Sequence, residues 1–593
     1  MRRSPSVSPG GPALGRPAAA SARGTLGKFL RSFRTAFIGL ALISAVVNLL
    51  VLNGTVYMLE VYDRVLPSKS VPTLVGLSVL ALALFAVQGL LEMLRGRALA
   101  EIGASLDESY GSSVYEAVVR LPLVGRNGGD GLQPFRDLDQ IRNFLGGQGP
   151  NALFDLPWMP IYIAVAMGFH PWIGLTTLAA ALLLTAIAIL AEVLSRGPAQ
   201  EAAGTAVSRN ALALASRRNA ETIRAMGMSR ALGERWRLAH MAHLSANLRA
   251  NHVAGSLASL SRTLRLILQS AVLGVGAYLA IRGEVSSGSM IACSVLLSRA
   301  LSPVELAIAH WKGFVASRDA WGRLDLLLRD AGDAAEPLRL PAPRESLQLE
   351  GVFVNAPGGA RSILADVSFT LKAGQGLGII GPSASGKSTL ARAITGVWPV
   401  SRGAIRIDGA ELSHWSPEQL GPHVGYLPQD VELFAGTVAQ NIARFEPDAP
   451  PEKIIAAARA AGVHELVLRL PAGYDTVIGE GGETLSGGQR QRLGLARALY
   501  GDPFVVVLDE PNSSLDAAGE EALTAAIAGV RERGAIVVIV AHRPSALAAV
   551  DRVLLLAEGR VQGFGPKDEI VARVVRPAGE AAPRLQAVAE KRS

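Results

Sequence analysis

Cysteine is almost missing from this chain: 593 residues contain a single one, Cys293. One thiol rules out an intramolecular disulfide framework and a cysteine-built metal cluster. As a small apolar residue in an apolar run, it reads as helix interior. Acidic residues are missing from one place in particular. Residues 1–35 carry Arg2, Arg3, Arg16, Arg23, Lys28, Arg31 and Arg34 without one Asp or Glu. No internal repeat is visible, so the chain is not a stack of like units.

What is abundant is apolar side chain. The composition is 49% hydrophobic with a mean hydropathy of +0.30, high for a protein that meets only water. The balance of 58 basic to 50 acidic residues gives +8, which suits either nucleic acid or anionic lipid. Position decides between them: the basic N-terminal segment is followed at once by an apolar run, the pattern of a cytoplasmic membrane flank. That run, Ala36 to Leu52 and on to about Met58, exceeds the roughly 7–15 residues of a cleaved signal's apolar region. It reads as an uncleaved first span.

Stretches near 36–58, 71–93, 152–169, 171–194, 264–282 and 288–310 approach the roughly 20 apolar residues that a bilayer requires. With a cytoplasmic N-terminus, six spans leave the C-terminal half in the cytoplasm. The loops agree, since 95–150 holds Arg95, Arg97, Arg120, Arg126, Arg136 and Arg142, and 196–265 holds Arg209, Arg217, Arg218, Arg224, Arg230, Arg235, Arg237 and Arg249. Both loops are rich in Ala, Leu, Arg and Glu, so spans two to five are expected to run on as long helices. "GFHPW" at 168–172 reads as a mere bend. Residues 1–30 read as a disordered basic tail, 31–329 as the membrane domain and 330–346 as a linker. From 347 to 572, strand-like runs alternate with Ala-rich helical ones, which indicates a parallel α/β domain, and 573–593 reads as a frayed tail.

Within that second domain, "GIIGPSASGKSTL" follows a predicted strand and opens a predicted helix, the context that a phosphate loop needs. It comprises Gly381, Pro382, Ser383, Ala384, Ser385, Gly386, Lys387, Ser388 and Thr389. The glycines let backbone N–H groups curl around a polyphosphate at a helix N-terminus. Lys387 would reach the β- and γ-phosphates, and the Ser388 hydroxyl would bind Mg2+, a hard cation that prefers oxygen. "FVVVLDE" ends an apolar strand in Asp509 and Glu510. Alternation along a strand predicts opposite faces for the two: Asp509 for the Mg2+ shell, Glu510 for polarising the water that attacks the γ-phosphate. Gln429 in "GYLPQD" can meet both Mg2+ and that water, and His542 in "IVIVAHRP" ends another strand and could hold the γ-phosphate.

"ETLSGGQRQRLGLARAL" at 483–499 sets Ser486, Gly487 and Gly488 before a helical run with Arg490, Arg492 and Arg497, and so raises the question of which anion it faces. "GPSASGKST", Gln429, "LSGGQ" (Leu485 to Gln489), "FVVVLDE", "SSLD" at 513–516 and His542 resemble, in order and spacing, the ATPase domain of ATP-binding cassette proteins. The resemblance implies that Ser486, Gly487, Gly488 and Gln489 complete an ATP site on an opposite subunit. It also implies an adenine-stacking aromatic where this chain has Ala356, a departure for which Phe353 or another residue must substitute.

One cassette with six spans resembles an ABC half-transporter: a helical exporter membrane domain followed by an α/β P-loop ATPase, working as a homodimer. "FRDLDQIRNFL" (135–145) and "ETIRAMGMSRALGERW" (221–236) resemble the loops that rest on cassettes in such exporters. "LEVYDRVLPS" (59–68), "FDLPWMPIYI" (154–163) and the stretch at 289–321 resemble the type I secretion transporters that export proteases and lipases. The implied setting is the bacterial inner membrane. The implied partners are an unfolded secreted polypeptide, a periplasmic adaptor and an outer-membrane channel, with lipid around the spans and no nucleic acid. With its only cysteine in span six, the chain is expected to lack a cysteine protease domain that cleaves leaders. An exporter of lipid, peptide or small molecule would share this plan, whereas a non-transport ABC ATPase would not need six spans. Glu60, Asp63 and Arg64 near the outer end of span one, and Arg299 and Glu305 late in span six, face either a polar cavity or one another.

Overall fold

Six helices among the described residues are long and apolar enough to cross a membrane. The computed structural model describes residues 25–125, 131–332, 340–359, 361–482, 485–541 and 544–575. The N-terminal tail before Thr25, residues 333–339 of the linker expected at 330–346, nearly all of the C-terminal tail and His542 lie outside them. The chain divides near residue 333 into two compact units.

Among the described residues, the first unit is built of helices and the turns between them. Span one is Arg34–Glu60, extended by a wider turn over Val61–Val65, and span two is Val71–Arg120. Spans four, five and six are Pro171–Arg218, Ser229–Ile281 and Ser287–Gly332. At 1.5 Å per residue, helices of this length far exceed the ~30 Å hydrocarbon core, so they continue beyond it. Leu42, Leu82 and Leu182 are 64%, 73% and 63% exposed, a surface that suits lipid rather than water. The part of the N-terminal tail that is described is ordered: Thr25–Ser32 is a helix with Leu26 and Phe29 buried.

Span three departs from the expected long helix. Its membrane helix Met159–Phe169 is preceded by a 3-10 turn at Leu156–Trp158 and a short helix at Gly149–Asp155. Pro150, Pro157 and Pro160 each occupy a first turn, where a missing N–H costs nothing, and each prevents the helix from extending backwards. The bend to span four is made by His170, whose Nδ1 accepts the Trp172 N–H (3.3 Å). The two loop segments noted above contain the helices Gln133–Leu145 and Ala220–Ala225.

Arg95 is not a headgroup charge. It is buried, and its Nη1 donates to Asp155 (3.0 Å) and to the Ser44 hydroxyl (3.0 Å). Asn48 donates to the same Asp155 oxygen (2.7 Å) and accepts from Tyr162 (2.8 Å), so one polar knot joins spans one, two and three. Most of the other membrane charges are paired. Asp63 accepts from Gly288 N–H (2.8 Å) and from the Ser286 hydroxyl, capping span six; Arg64 lies 3.7 Å from Glu60, and Arg265 lies 2.9 Å from Glu305. Arg299 is exposed and makes no ion pair among the described residues.

In the second unit, six strands lie in the order Arg560–Pro566, Arg552–Ala557, Gly376–Ile380, Ile536–Val540, Val505–Asp509 and Val424–Leu427, parallel except for the first pair. Val505 and Val507 face one core, Val506 and Leu508 another, which is why "FVVVLD" is apolar without alternation. A second, antiparallel sheet carries Ser346–Asn355 between Ser362–Lys372 and Arg402–Ile407.

Removing one partner of the buried Arg95–Asp155 pair should destabilise the bundle by about 3 kcal/mol. We expect Asp155→Leu to lower the melting temperature of the purified protein, and Arg95→Met added to it to recover much of the loss.

Candidate active site

The phosphate loop leaves the carboxyl end of strand Gly376–Ile380 and enters helix Lys387–Ile394. Its curl needs glycine at two points. Gly381 has φ +154°, and a Cβ there would lie 1.9 Å from the Leu556 carbonyl oxygen; Gly386 has φ +99°, with Leu364 Cδ2 at 2.8 Å from the same imagined atom. Lys387 is buried and folds back on the loop, its Nζ donating to the carbonyls of Gly381 (3.0 Å) and Pro382 (2.8 Å). Burial lowers the pKa of this ammonium, while nearby Glu510 and Asp509 pull it up. Ser383 is exposed, whereas Ser385 and Thr389 are buried and the Ser385 hydroxyl has no partner among the described residues.

Ser388 donates its hydroxyl to Asp509 Oδ1 (3.1 Å). Asp509 is fully buried, its Oδ2 has no partner among the described residues, and desolvation pushes its pKa up. An orphaned buried carboxylate oxygen beside a hydroxyl is a donor set that fits a hard divalent cation. Glu510 is not the next strand residue facing the other way, as alternation would have it. The strand ends at Asp509, and Glu510 sits beyond it with φ +50°, a left-handed conformation uncommon outside glycine. Its N–H donates to the Val540 carbonyl (3.1 Å), and its carboxylate accepts from Gln429 Nε2 (3.1 Å). Gln429 lies exposed just past strand Val424–Leu427. Three strand ends therefore bring Lys387, Ser388, Gln429, Asp509 and Glu510 together. His542, two residues past strand Ile536–Val540, lies outside the described residues.

The "LSGGQ" stretch, the cassette signature, leads into helix Gly487–Leu499 with Ser486 as its cap: Gln489 N–H donates to Ser486 Oγ (3.3 Å), and Ser486 N–H donates to Gln489 Oε1 (2.9 Å). Ser486 and Gly487 are exposed. Its arginines do not gather around an anion. Arg490 donates to the Gly481 carbonyl (3.2 Å), Arg492 pairs with Asp516, and Arg497 donates to the Glu432 carbonyl (3.1 Å) beneath the ring of Phe434. The groups whose chemistry would suit an anion are the N-terminal ones, Ser486 and the glycine N–H groups.

Two residues here carry no motif and escaped the sequence reading. Arg444 is a guanidinium spent on carbonyls alone, those of Arg497 (2.9 Å), Ala498 (3.0 Å), Gly421 (2.7 Å) and Val424 (3.3 Å), so it ties the C-terminus of the signature helix to the Gln429 strand. Gln491 is buried and bonds the segment after Asp509. Where an adenine-stacking aromatic was expected, Ala356 sits in a turn closed by Gly359 (2.9 Å); the Phe353 ring has the Arg402 guanidinium 5.6 Å from its centroid.

The family model of the ABC transporter transmembrane region matches residues 36–304, and that of the ABC transporter matches 364–513. The type I secretion system ATP-binding protein PrsD of Rhizobium meliloti is 56% identical over 92% of this chain and 94% of its own length. The cyclolysin secretion/processing ATP-binding protein CyaB of Bordetella pertussis is 32% identical over 92% of this chain and 76% of its own. A solved bacterial Atm1-family ABC exporter with ATP bound superposes with a TM-score of 0.76 over 93% of this chain and 99% of that one; at 23% identity it is a likeness of fold.

Losing the Lys387 ammonium removes charge-assisted bonds worth about 1.5–3 kcal/mol, so Lys387→Ala should weaken nucleotide binding by roughly 10- to 100-fold. Asp509→Asn should instead raise the Mg2+ concentration needed for turnover while leaving metal-free nucleotide binding close to wild type. Titrating a fluorescent ATP analogue with and without Mg2+ separates the two.

Proposed function

The chain belongs to the ABC transporters of type I secretion systems, and on that premise we propose that it uses ATP hydrolysis to export an unfolded polypeptide across the bacterial inner membrane. The observation that carries this reading is the 56% identity to a type I secretion ATP-binding protein across 94% of that protein's length, spans and cassette together. The expected partners are a periplasmic adaptor, an outer-membrane channel and a second copy of this chain. Support for the second copy comes from the signature: Ser486 and Gly487 are open to solvent on a single chain, ready to meet a γ-phosphate held by another.

The chemistry follows from the cluster at the strand ends. Backbone N–H groups within 383–386 and the Lys387 ammonium hold the β- and γ-phosphates, Lys387 leaving its two carbonyls to do so. Ser388 and Asp509 would hold Mg2+, which when bound neutralises charge on the β- and γ-oxygens. Glu510 orients a water and takes its proton as the oxygen attacks the γ-phosphorus and ADP leaves. Gln429, already bonded to Glu510, keeps that carboxylate directed at the water and adds an oxygen toward the metal. His542 and Gln489 are assigned to the γ-phosphate and to the partner's nucleotide. In the membrane, Arg299 is our candidate for contact with the passing polypeptide, since the other charges considered are engaged with one another or with a helix end.

Mass spectrometry of culture medium tests the whole reading. Cells whose only copy carries Glu510→Gln should lose one or a few large proteins from the medium and accumulate them inside, with normal abundance of the mutant transporter in the membrane. An unchanged medium would point to a lipid or small-molecule cargo instead. In vitro, the same variant should retain ATP binding and lose turnover by at least about 100-fold.

A further inference from the structure

The backbone of Glu510 is gripped from two directions. Its N–H is bonded to the Val540 carbonyl on the neighbouring strand. Its carbonyl oxygen accepts from the Ser513 N–H of the turn (3.3 Å) and from the side chain of Gln491 (3.2 Å), which lies one turn into the signature helix and is only 4% exposed. The same amide spends its remaining capacity on the residues that follow: Nε2 also donates to Ser513 Oγ (3.2 Å), and Oε1 accepts from Ser514 N–H (2.9 Å). The helix lies so close to this segment that a Cβ on Gly488 would come within 2.9 Å of the Ser514 carbonyl oxygen, and Arg492 pairs with Asp516 at its far end.

Glu510 needs such support. A non-glycine residue at φ +50° is strained relative to its relaxed conformation and keeps that geometry only where its surroundings insist on it. Released, the peptide would relax toward negative φ, and the carboxylate that now meets Gln429 would swing away from the end of Asp509.

We propose that Gln491 is a positioning residue for ATP hydrolysis: it locks Glu510 in the left-handed turn from which its carboxylate reaches the attacking water. Because Gln491 belongs to the helix whose N-terminus faces the partner's nucleotide, the same bond makes hydrolysis at one site depend on occupancy of the other. The inference rests on the reading of Glu510 as the residue that orients water.

Gln491→Leu keeps the side chain's bulk and deletes its bonds. In the purified full-length transporter, misplacing Glu510 should lower kcat by roughly 30-fold while KM for ATP stays within about 3-fold. The Hill coefficient for ATP should also fall toward one. Introduced into a Glu510→Gln protein, Gln491→Leu should change the residual single-turnover rate by less than about 2-fold, because two residues acting as a unit are not additive. A purely structural role would instead move KM and the melting temperature together with kcat, and would multiply with Glu510→Gln; either pattern overturns the inference, as does an unchanged kcat. If Gln491→Leu does not accumulate, Ser513→Ala decides, since it removes one of the three bonds and should give a smaller kcat loss in the same direction, whereas wild-type turnover contradicts the inference. Wild-type turnover by Glu510→Gln alone would remove the underlying reading of Glu510, a result distinct from all of these.

Discussion

Four parallel strands that are buried on both faces can end in only one place, and that shared edge is the constraint on which the cassette depends. Gly376–Ile380, Val424–Leu427, Val505–Asp509 and Ile536–Val540 hold one another in register through their backbones and pack alternate side chains into two cores. A slip of one residue would exchange the cores and move every terminal side chain. With the register held, the residues just past the strand ends meet: a lysine in its loop, a hydroxyl against a carboxylate, a second carboxylate in a left-handed turn and an amide upon it. None of these groups is unusual alone. Their chemistry comes from being delivered to one edge by rigid elements.

The membrane unit answers to a different solvent but uses similar means. Its long helices satisfy their own backbones, which is what lipid demands, and expose leucines outward. Several polar side chains that enter are bonded across elements: Arg95 with Asp155 and Ser44, Asn48 with Tyr162, Asp63 with the start of span six. Such knots fix how spans one, two, three and six are arranged, and they leave Arg299 as an exposed charge in the bundle.

Legibility followed locality. The phosphate loop could be read because Gly381, Gly386 and Lys387 must be adjacent in sequence to do their work, and the spans because a bilayer demands unbroken apolar length. What escaped was choice of partner. Arg95 counted as a loop charge until Asp155, sixty residues away, claimed it. Arg490, Arg492 and Arg497 suggested an anion site, yet each turns back into its own domain. Alternation predicted opposite faces for Asp509 and Glu510, whereas the strand stops between them and the backbone turns left-handed. Three prolines ahead of span three were visible, and their effect on helix length could have been drawn from them alone. Gln491 bears no mark in sequence beyond standing in a polar helix turn, since only the fold places the Glu510 carbonyl beside it.

The proposed ATP site is completed by two copies of this chain, the phosphate loop of one against Ser486 of the other. Both Ser383 and Ser486 are exposed, and the single native cysteine can be removed as Cys293→Ser, so one pair of new thiols reports on the contact. The measurement is oxidative cross-linking of the membrane-embedded Ser383→Cys, Ser486→Cys protein carrying Glu510→Gln, followed by non-reducing electrophoresis. A covalent dimer that forms with ATP and Mg2+ and not without nucleotide is the predicted result. A chain that stays monomeric in ATP, while the nucleotide demonstrably binds, would contradict the account.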